Sequence, residues 1–209
     1  MHYQLSTSGV SALREYDLIA DWYATRLESG IGVPEATSLA QSLPRGARVL
    51  DIGCGHGRPL TNVFLDHGCR VVGLDTAEKM IANFRRHFTR VPVVHGRAQD
   101  ACFADEAFDA AHAWGMMFHL SPDDQVQVLA SVARILKPGG PFLFTSGEAP
   151  EEDTRPFKED QMNGVTFRYY SFTEAQYADV MPRFGLTLIS RHIDRGENCY
   201  YLARKSGEG

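Results

Sequence analysis

Residues 49–57, Val-Leu-Asp-Ile-Gly-Cys-Gly-His-Gly, leave this chain little choice of fold. An apolar run of strand type ends there in three alternating glycines, and Pro59 follows where a helix can begin. A strand, a bare turn and a helix start together expose unpaired main-chain N–H groups, which suit a polar or anionic ligand. The spacing excludes two familiar occupants. A Walker-type phosphate loop requires G-x-x-x-x-G-K-[ST], whereas Arg58 and Pro59 follow Gly57. The dinucleotide fingerprint G-x-G-x-x-G, started at Gly53, requires a third glycine where Arg58 stands. Asp51, just before the first glycine, would oppose a pyrophosphate and suits a ligand that carries an ammonium and a sulfonium. Asp75, at the end of the next apolar run, can accept both hydroxyls of a ribose, a feature that nicotinamide-binding proteins share.

The rest of the chain alternates in the same way. Strands are expected at 48–52, 70–74, 91–95, 108–113 and 141–145, with helices at 59–67, 77–87 and 121–136 between them. Thr76 or Asp75 is placed to cap the second of these helices, and Pro92 suits an edge strand. Strands separated by helices predict a parallel sheet covered on both faces. The tail departs from this: a helix at 173–183 precedes strands at 186–192 and 199–203, joined by a short polar link with Gly196 that reads as a hairpin. The first 43 residues carry one expected helix, 11–28, and residues 146–171 form an acidic and then aromatic connection. Both are positioned to fold over the carboxyl ends of the strands, where an open α/β sheet binds its ligand.

Charge and composition narrow the partners. A net charge of −5 repels phosphate backbones, so no nucleic-acid partner is expected. The Arg85, Arg86, His87 and Arg90 cluster suits a solvated helix end. Cys54, Cys69, Cys102 and Cys199 are scattered without metal-ligand spacing, so neither a metal site nor a disulfide framework is expected, and a reducing cytoplasm is the expected compartment. No apolar run approaches the roughly 18 residues of a membrane span, so no membrane partner is expected.

Four segments in register resemble the class I S-adenosylmethionine-dependent methyltransferases, over about residues 47–203. VLDIGCGHG is similar to the family's first motif, VVGLDTAEKM to its second, FDAAHAWGMMFHL to the fourth-strand motif, and ILKPGGPFLFTSG to the approach to strand five. The resemblance implies one Rossmann-like α/β domain over 1–209, with a seven-stranded, mostly parallel sheet of order 3-2-1-4-5-7-6, strand seven antiparallel, and helices on both faces. Within it, 1–43 would be a helical lid, 44–145 the cofactor-binding core, 146–172 a substrate-side insertion and 173–205 the closing helix and hairpin. It implies S-adenosyl-L-methionine as methyl donor and S-adenosyl-L-homocysteine as product. By that resemblance, Asp51 orients the methionine amino group, Gly53 approaches it, and Cys54, Gly55 and Gly57 complete the turn. Asp75 holds the ribose, Thr76 and Met80 flank the adenine, Ala98 and Gln99 run along its edge, and Ala113 and Trp114 border the methionine end. The family often has an acid where this chain has Arg97.

Methyl transfer is an in-line displacement on a carbon already activated by positive sulfur, so alignment does most of the work. His119, where the family often has a histidine, is either a base or an imidazole that fixes the strand–helix junction. His112 reads as a core residue and His56 as a solvent-facing turn residue. Tyr16, Trp22, Tyr23, Met117 and Tyr169 are the expected wall for the acceptor, because aromatic faces stack on planar molecules and thioethers adapt to them. The expected substrate is a small, planar metabolite methylated on N or O, and the expected assembly a monomer or homodimer. Family members that N-methylate azapteridines such as toxoflavin precursors are similar in size. A nucleotide-cofactor oxidoreductase and a non-catalytic S-adenosylmethionine-binding module are the competing readings.

Overall fold

A computed structural model describes residues 12–25, 30–147, 157–194 and 198–207. The ends of the first expected helix, the acidic opening of the 146–171 connection and the tip of the last hairpin lie outside the described residues.

Seven strands form one sheet. They are β1 (Arg48–Ile52), β2 (Arg70–Asp75), β3 (Val93–His95), β4 (Ala110–Ala113), β5 (Pro141–Ser146), β8 (Leu186–Ile193) and β9 (Cys199–Lys205), in the order β3-β2-β1-β4-β5-β9-β8. The pairs from β3 to β5 are parallel, while β9 runs antiparallel to both of its neighbours. This is the expected order, with the last two strands renumbered because β6 (Lys158–Met162) and β7 (Val165–Tyr169) form a separate antiparallel pair. That pair lies in the segment expected to be a plain connection. Its turn, Asn163-Gly164, has φ of 50° and 77°, the left-handed pair that Asn-Gly adopts readily in a two-residue hairpin.

Alternation along each strand builds two cores. Leu50, Phe142, Phe144 and Tyr201 face one side, where they meet Val128, Leu129 and Val132 of α5 (Pro122–Ile135) and Tyr177 of α6 (Glu174–Val180). Val49, Leu143 and Tyr200 face the other, against Leu39 of α2 (Val33–Ser42) and Phe64 of α3 (Leu60–Asp66). Each large apolar side chain removed from water in this way contributes about 1.5–3 kcal/mol. Helix α2 was not expected; it starts at Gly32, whose φ of 78° breaks the chain, with Pro34 in the first turn.

Local signals set several boundaries. Ser121 caps α5 by accepting the Asp124 N–H at 3.2 Å, and Thr173 with Gln176 forms a capping box on α6. The start of α4 (Glu78–His87) is different. Of the two expected caps, Asp75 Oδ1 accepts the Ala77 N–H at the helix start, at 2.9 Å; within the first turn Asp17 Oδ1, from α1 (Ala12–Ala24), accepts the Lys79 N–H at 2.9 Å. A neighbouring helix therefore supplies part of the cap, which docks α1 over the carboxyl ends of the strands. Arg85, Arg86 and His87 of the basic cluster form the last turn of α4, as charge and helix dipole favour, and Arg90 follows it. Among the described residues, no helix is long and apolar enough to cross a membrane.

Candidate functional site

The glycine turn is stitched to the neighbouring strand. The N–H groups of Gly53 and Cys54 both donate to Leu74 O, at 2.7 and 3.1 Å. At Gly57 two requirements coincide: φ is +84°, and a Cβ would lie 2.4 Å from Phe88 Cε2 and 2.8 Å from Phe84 Cε2. At Gly55 the space that a side chain would fill is open, the nearest heavy atom being Met80 Sδ at 3.9 Å. The main chain thus presents a bare cradle beside the thioether of Met80.

Two acids flank the cradle, Asp51 buried and Asp75 half-buried. Asp75 closes β2; its Oδ2 accepts the Gly55 N–H at 2.7 Å and its Oδ1 the Ala77 N–H at 2.9 Å. Each oxygen keeps a lone pair for a further donor. Burial holds the Asp75 carboxyl above the usual carboxylate range, although the N–H groups oppose that shift and Asp51 adds to it. Asp51 is 4% exposed; its Oδ2 accepts the Thr61 hydroxyl at 2.6 Å, and its Oδ1 lies 3.5 Å from His112 Nδ1. His112 is buried within β4, so it serves the packing and polar lining beneath Asp51. His56 is also buried, at 3% exposure, rather than solvent-facing: it turns inward beside Tyr23 and His87, with ring centroids 6.2 and 5.9 Å away.

A cleft opens at this end of the sheet, with about 1180 Å³ of empty space including its open mouth. Every donor-side residue expected from the sequence lines it except Ala113, which is fully buried in the core at the end of β4. Asp51, Gly53, Cys54, Gly55 and Gly57 come from β1 and its turn, while Asp75, Thr76 and Met80 follow β2. Ala98 and Gln99 follow β3, and Trp114 follows β4. Two acids, a bare turn and a thioether fit a ligand that carries a ribose, a cationic amine and a sulfonium, and the chemistry of S-adenosylmethionine matches that set.

The expected acceptor wall divides. Tyr16 and Tyr23, on one face of α1, line the cleft. Met117 is fully buried in the core, and its neighbour Met116 is the thioether that faces the cleft. Trp22 is half-buried on α1 and Tyr169 stacks on Phe118 at 5.6 Å; neither lines the cleft. Arg168 lies outside the cleft, paired with Glu159 at 3.0 Å and placed over the Phe157 ring.

His119 sits in the turn after β4 and is 8% exposed. Its Nδ1 is 3.2 Å from Arg168 O and its Nε2 is 2.9 Å from Tyr16 Oη. Burial pulls its pKa down to about 4, against the opposing effect of the Arg168 carbonyl, so the ring is neutral near pH 7. Phe167 and Tyr169 pack on the same ring, with centroids 5.4 and 4.9 Å away. A further participant has no sequence motif. Asp124, in the first turn of α5, lines the cleft with Oδ1 3.0 Å from Arg97 Nη2 and Oδ2 accepting the Ser121 hydroxyl at 2.9 Å. It places a carboxylate beside the position where Arg97 replaces the family's acid.

Similarity to known proteins agrees with this geometry. A family described as "Methyltransferase domain" matches residues 49–140. An uncharacterized methyltransferase of Synechocystis sp. is 31% identical over 165 residues, covering 78% of this chain and 77% of that protein. A tRNA (carboxymethyluridine(34)-5-O)-methyltransferase of Arabidopsis thaliana is 32% identical over 143 residues, but the chain spans only 33% of its length. Among solved structures, 1,6-didemethyltoxoflavin-N1-methyltransferase of Burkholderia thailandensis, crystallised with 1,6-didemethyltoxoflavin and S-adenosylhomocysteine, superposes with a TM-score of 0.72. It is 24% identical, and the match covers 99% of this chain and 93% of that one. The cradle, the paired acids and these relatives lead to one conclusion: the chain belongs to the class I S-adenosylmethionine-dependent methyltransferases.

Proposed function

We propose that the chain methylates N or O of a small, planar, heteroaromatic metabolite, with S-adenosylmethionine as donor. The observation that carries this reading is the junction, in one cleft, of the glycine cradle with the Tyr16 and Tyr23 rings of α1. Asp75 takes the ribose hydroxyls with its remaining lone pairs, and Asp51 faces the methionine amino group. Thr76 and Met80 flank the adenine, Ala98 and Gln99 run along its edge, and Trp114 borders the methyl. Residues 12–25 act as a lid, held by Asp17 on α4. The planar acceptor lies between Trp114, Met116 and the tyrosines, where faces and thioether surround it. The net charge of −5 argues against a polynucleotide acceptor. The toxoflavin-type enzyme with a similar fold gives a first heteroaromatic to try.

The test is incubation of the full chain with methyl-labelled donor and five acceptors: 1,6-didemethyltoxoflavin, a neutral phenol, an alcohol, benzoate and thiophenol. Label should pass to a heteroaromatic N–H or a phenol. Transfer to none of the five sinks the small-molecule reading. Calorimetry with S-adenosylhomocysteine tests the donor side separately. Asp75→Ala should weaken that binding by at least about 100-fold, since it removes a charged acceptor of two hydrogen bonds. Unchanged affinity removes the ribose assignment.

A further inference from the structure

His119 has no free nitrogen to offer a methyl acceptor. A carbonyl oxygen only accepts, so the contact with Arg168 O puts the ring proton on Nδ1, which donates. Nε2 then carries the lone pair, and the Tyr16 hydroxyl, 2.9 Å away, donates to it. The imidazole is enclosed by Tyr16, Phe118, Phe167 and Tyr169. Tyr16 itself lines the cleft, and its oxygen retains lone pairs.

We propose that Tyr16 takes the proton from the methyl acceptor while passing its own phenolic proton to His119, so that the base is a two-residue relay rather than the histidine alone. The proposal rests on the small-acceptor reading above. The acceptor's lone pair attacks the methyl carbon, the carbon–sulfur bond breaks, and its electron pair stays on sulfur to give the neutral thioether. As the new bond forms, the acceptor's N–H or O–H proton moves to Tyr16 Oη and the Tyr16 proton moves to His119 Nε2. The product pair is a methylated acceptor and an imidazolium, whose Nδ1–H remains on the Arg168 carbonyl until water removes the extra proton.

Two features support this order. Burial, with Tyr23, Tyr169 and Asp75 adding to it, holds the Tyr16 phenol well above its ordinary pKa, so it conducts a proton instead of storing a negative charge. Those three residues, with the hydrogen-bonded His119, are the titratable groups that face Tyr16 among the described residues. A buried neutral imidazole is a weak base toward an uncharged N–H, but methyl transfer makes that proton strongly acidic at the moment the relay receives it. The relay is also assembled from three distant segments: Tyr16 from α1, His119 from the turn after β4, and Arg168 from β7. It is complete only with the lid helix and the hairpin both docked.

The test is Tyr16→Phe, which keeps the ring packing and removes only the hydroxyl. Donor affinity, read with S-adenosylhomocysteine, should stay within about two-fold of the parent. With whichever acceptor the five-compound screen identifies, kcat should fall 10²–10⁴-fold at a pH below that acceptor's own pKa, the usual span for losing a general base. Above that pKa, where the acceptor has already lost its proton, the rate should return toward that of the parent. An unchanged kcat, or a loss of equal size on both sides of the acceptor's pKa, overturns the relay, the second because it marks a purely structural role. His119→Gln should reproduce the same pH-selective loss, and a pH-independent one overturns the proposal as well. Methylation confined to a protein or tRNA would refute the small-acceptor reading; the same two variants, assayed on that acceptor, would still decide the relay.

Discussion

The two walls of the cleft are made differently. On the side proposed for the donor, main-chain N–H groups of the turn make the contacts: Gly53 and Cys54 donate to Leu74 O, and Gly55 donates to the Asp75 carboxylate. On the side proposed for the acceptor, the contacts engage side chains and join segments farther apart in sequence: the Tyr16 hydroxyl with the His119 ring, the Asp17 carboxylate with the Lys79 N–H, and the His119 ring with the Arg168 carbonyl. At Gly57 the cradle has no room for a side chain, whereas a wall of packed rings can change its residues one at a time.

Three predictions probe that contrast. The largest effect should come from the donor side. Gly57→Ala forces a Cβ into Phe84 and Phe88 at a left-handed φ; the combined strain and overpacking should cost roughly 3–5 kcal/mol. Chemical denaturation of the variant and S-adenosylhomocysteine titration measure it, and a parent-like midpoint would show that the cradle yields after all.

The next effect belongs to the acceptor side and to pH. His119 titrates near 6.5 in an unfolded chain and at about 4 in the fold, so its contribution to stability is complete above pH 6.5 and is lost as pH falls toward 4. That contribution is at most roughly 3 kcal/mol. His56, whose pKa is lowered by burial and by His87, adds a loss of the same sign. Denaturation midpoints at pH 7 and pH 4.5 should converge in His119→Gln compared with the parent. An identical acid slope in both would mean that His119 is not held neutral by the aromatic cluster.

The smallest effect should separate α1 from the cradle. Asp17→Ala removes a cap supplied by one helix to another and should cost about 1 kcal/mol. Amide exchange should quicken along α1 and at Lys79, while the N–H groups of Gly53 and Cys54 keep their protection. Equal loosening at the glycine turn would join the two walls into one cooperative unit.

Local chemistry was enough to read the sheet, the turn and both acids. A strand buried on both faces is mostly apolar, a chain reversal at positive φ favours glycine or asparagine, and Ser121 and Thr173 announce their helices. Near-neighbour physics sets all of these, so they appear as spacing. The β6–β7 pair was legible too: Asn163-Gly164 is a hairpin signal, overshadowed by the acidic and aromatic residues around it. Other features had no local trace. Nothing in Met116-Met117 says which thioether faces the cleft; that follows from the direction in which the chain leaves β4. The inward turn of His56, the cap given by Asp17 and the hydrogen bonds that occupy both nitrogens of His119 depend on which segments meet in space. Near-neighbour forces thus specified the donor cradle, while the partners of each ring and the protonation state of His119 were decided by burial among distant residues, because only packing fixes the local dielectric and the available donors.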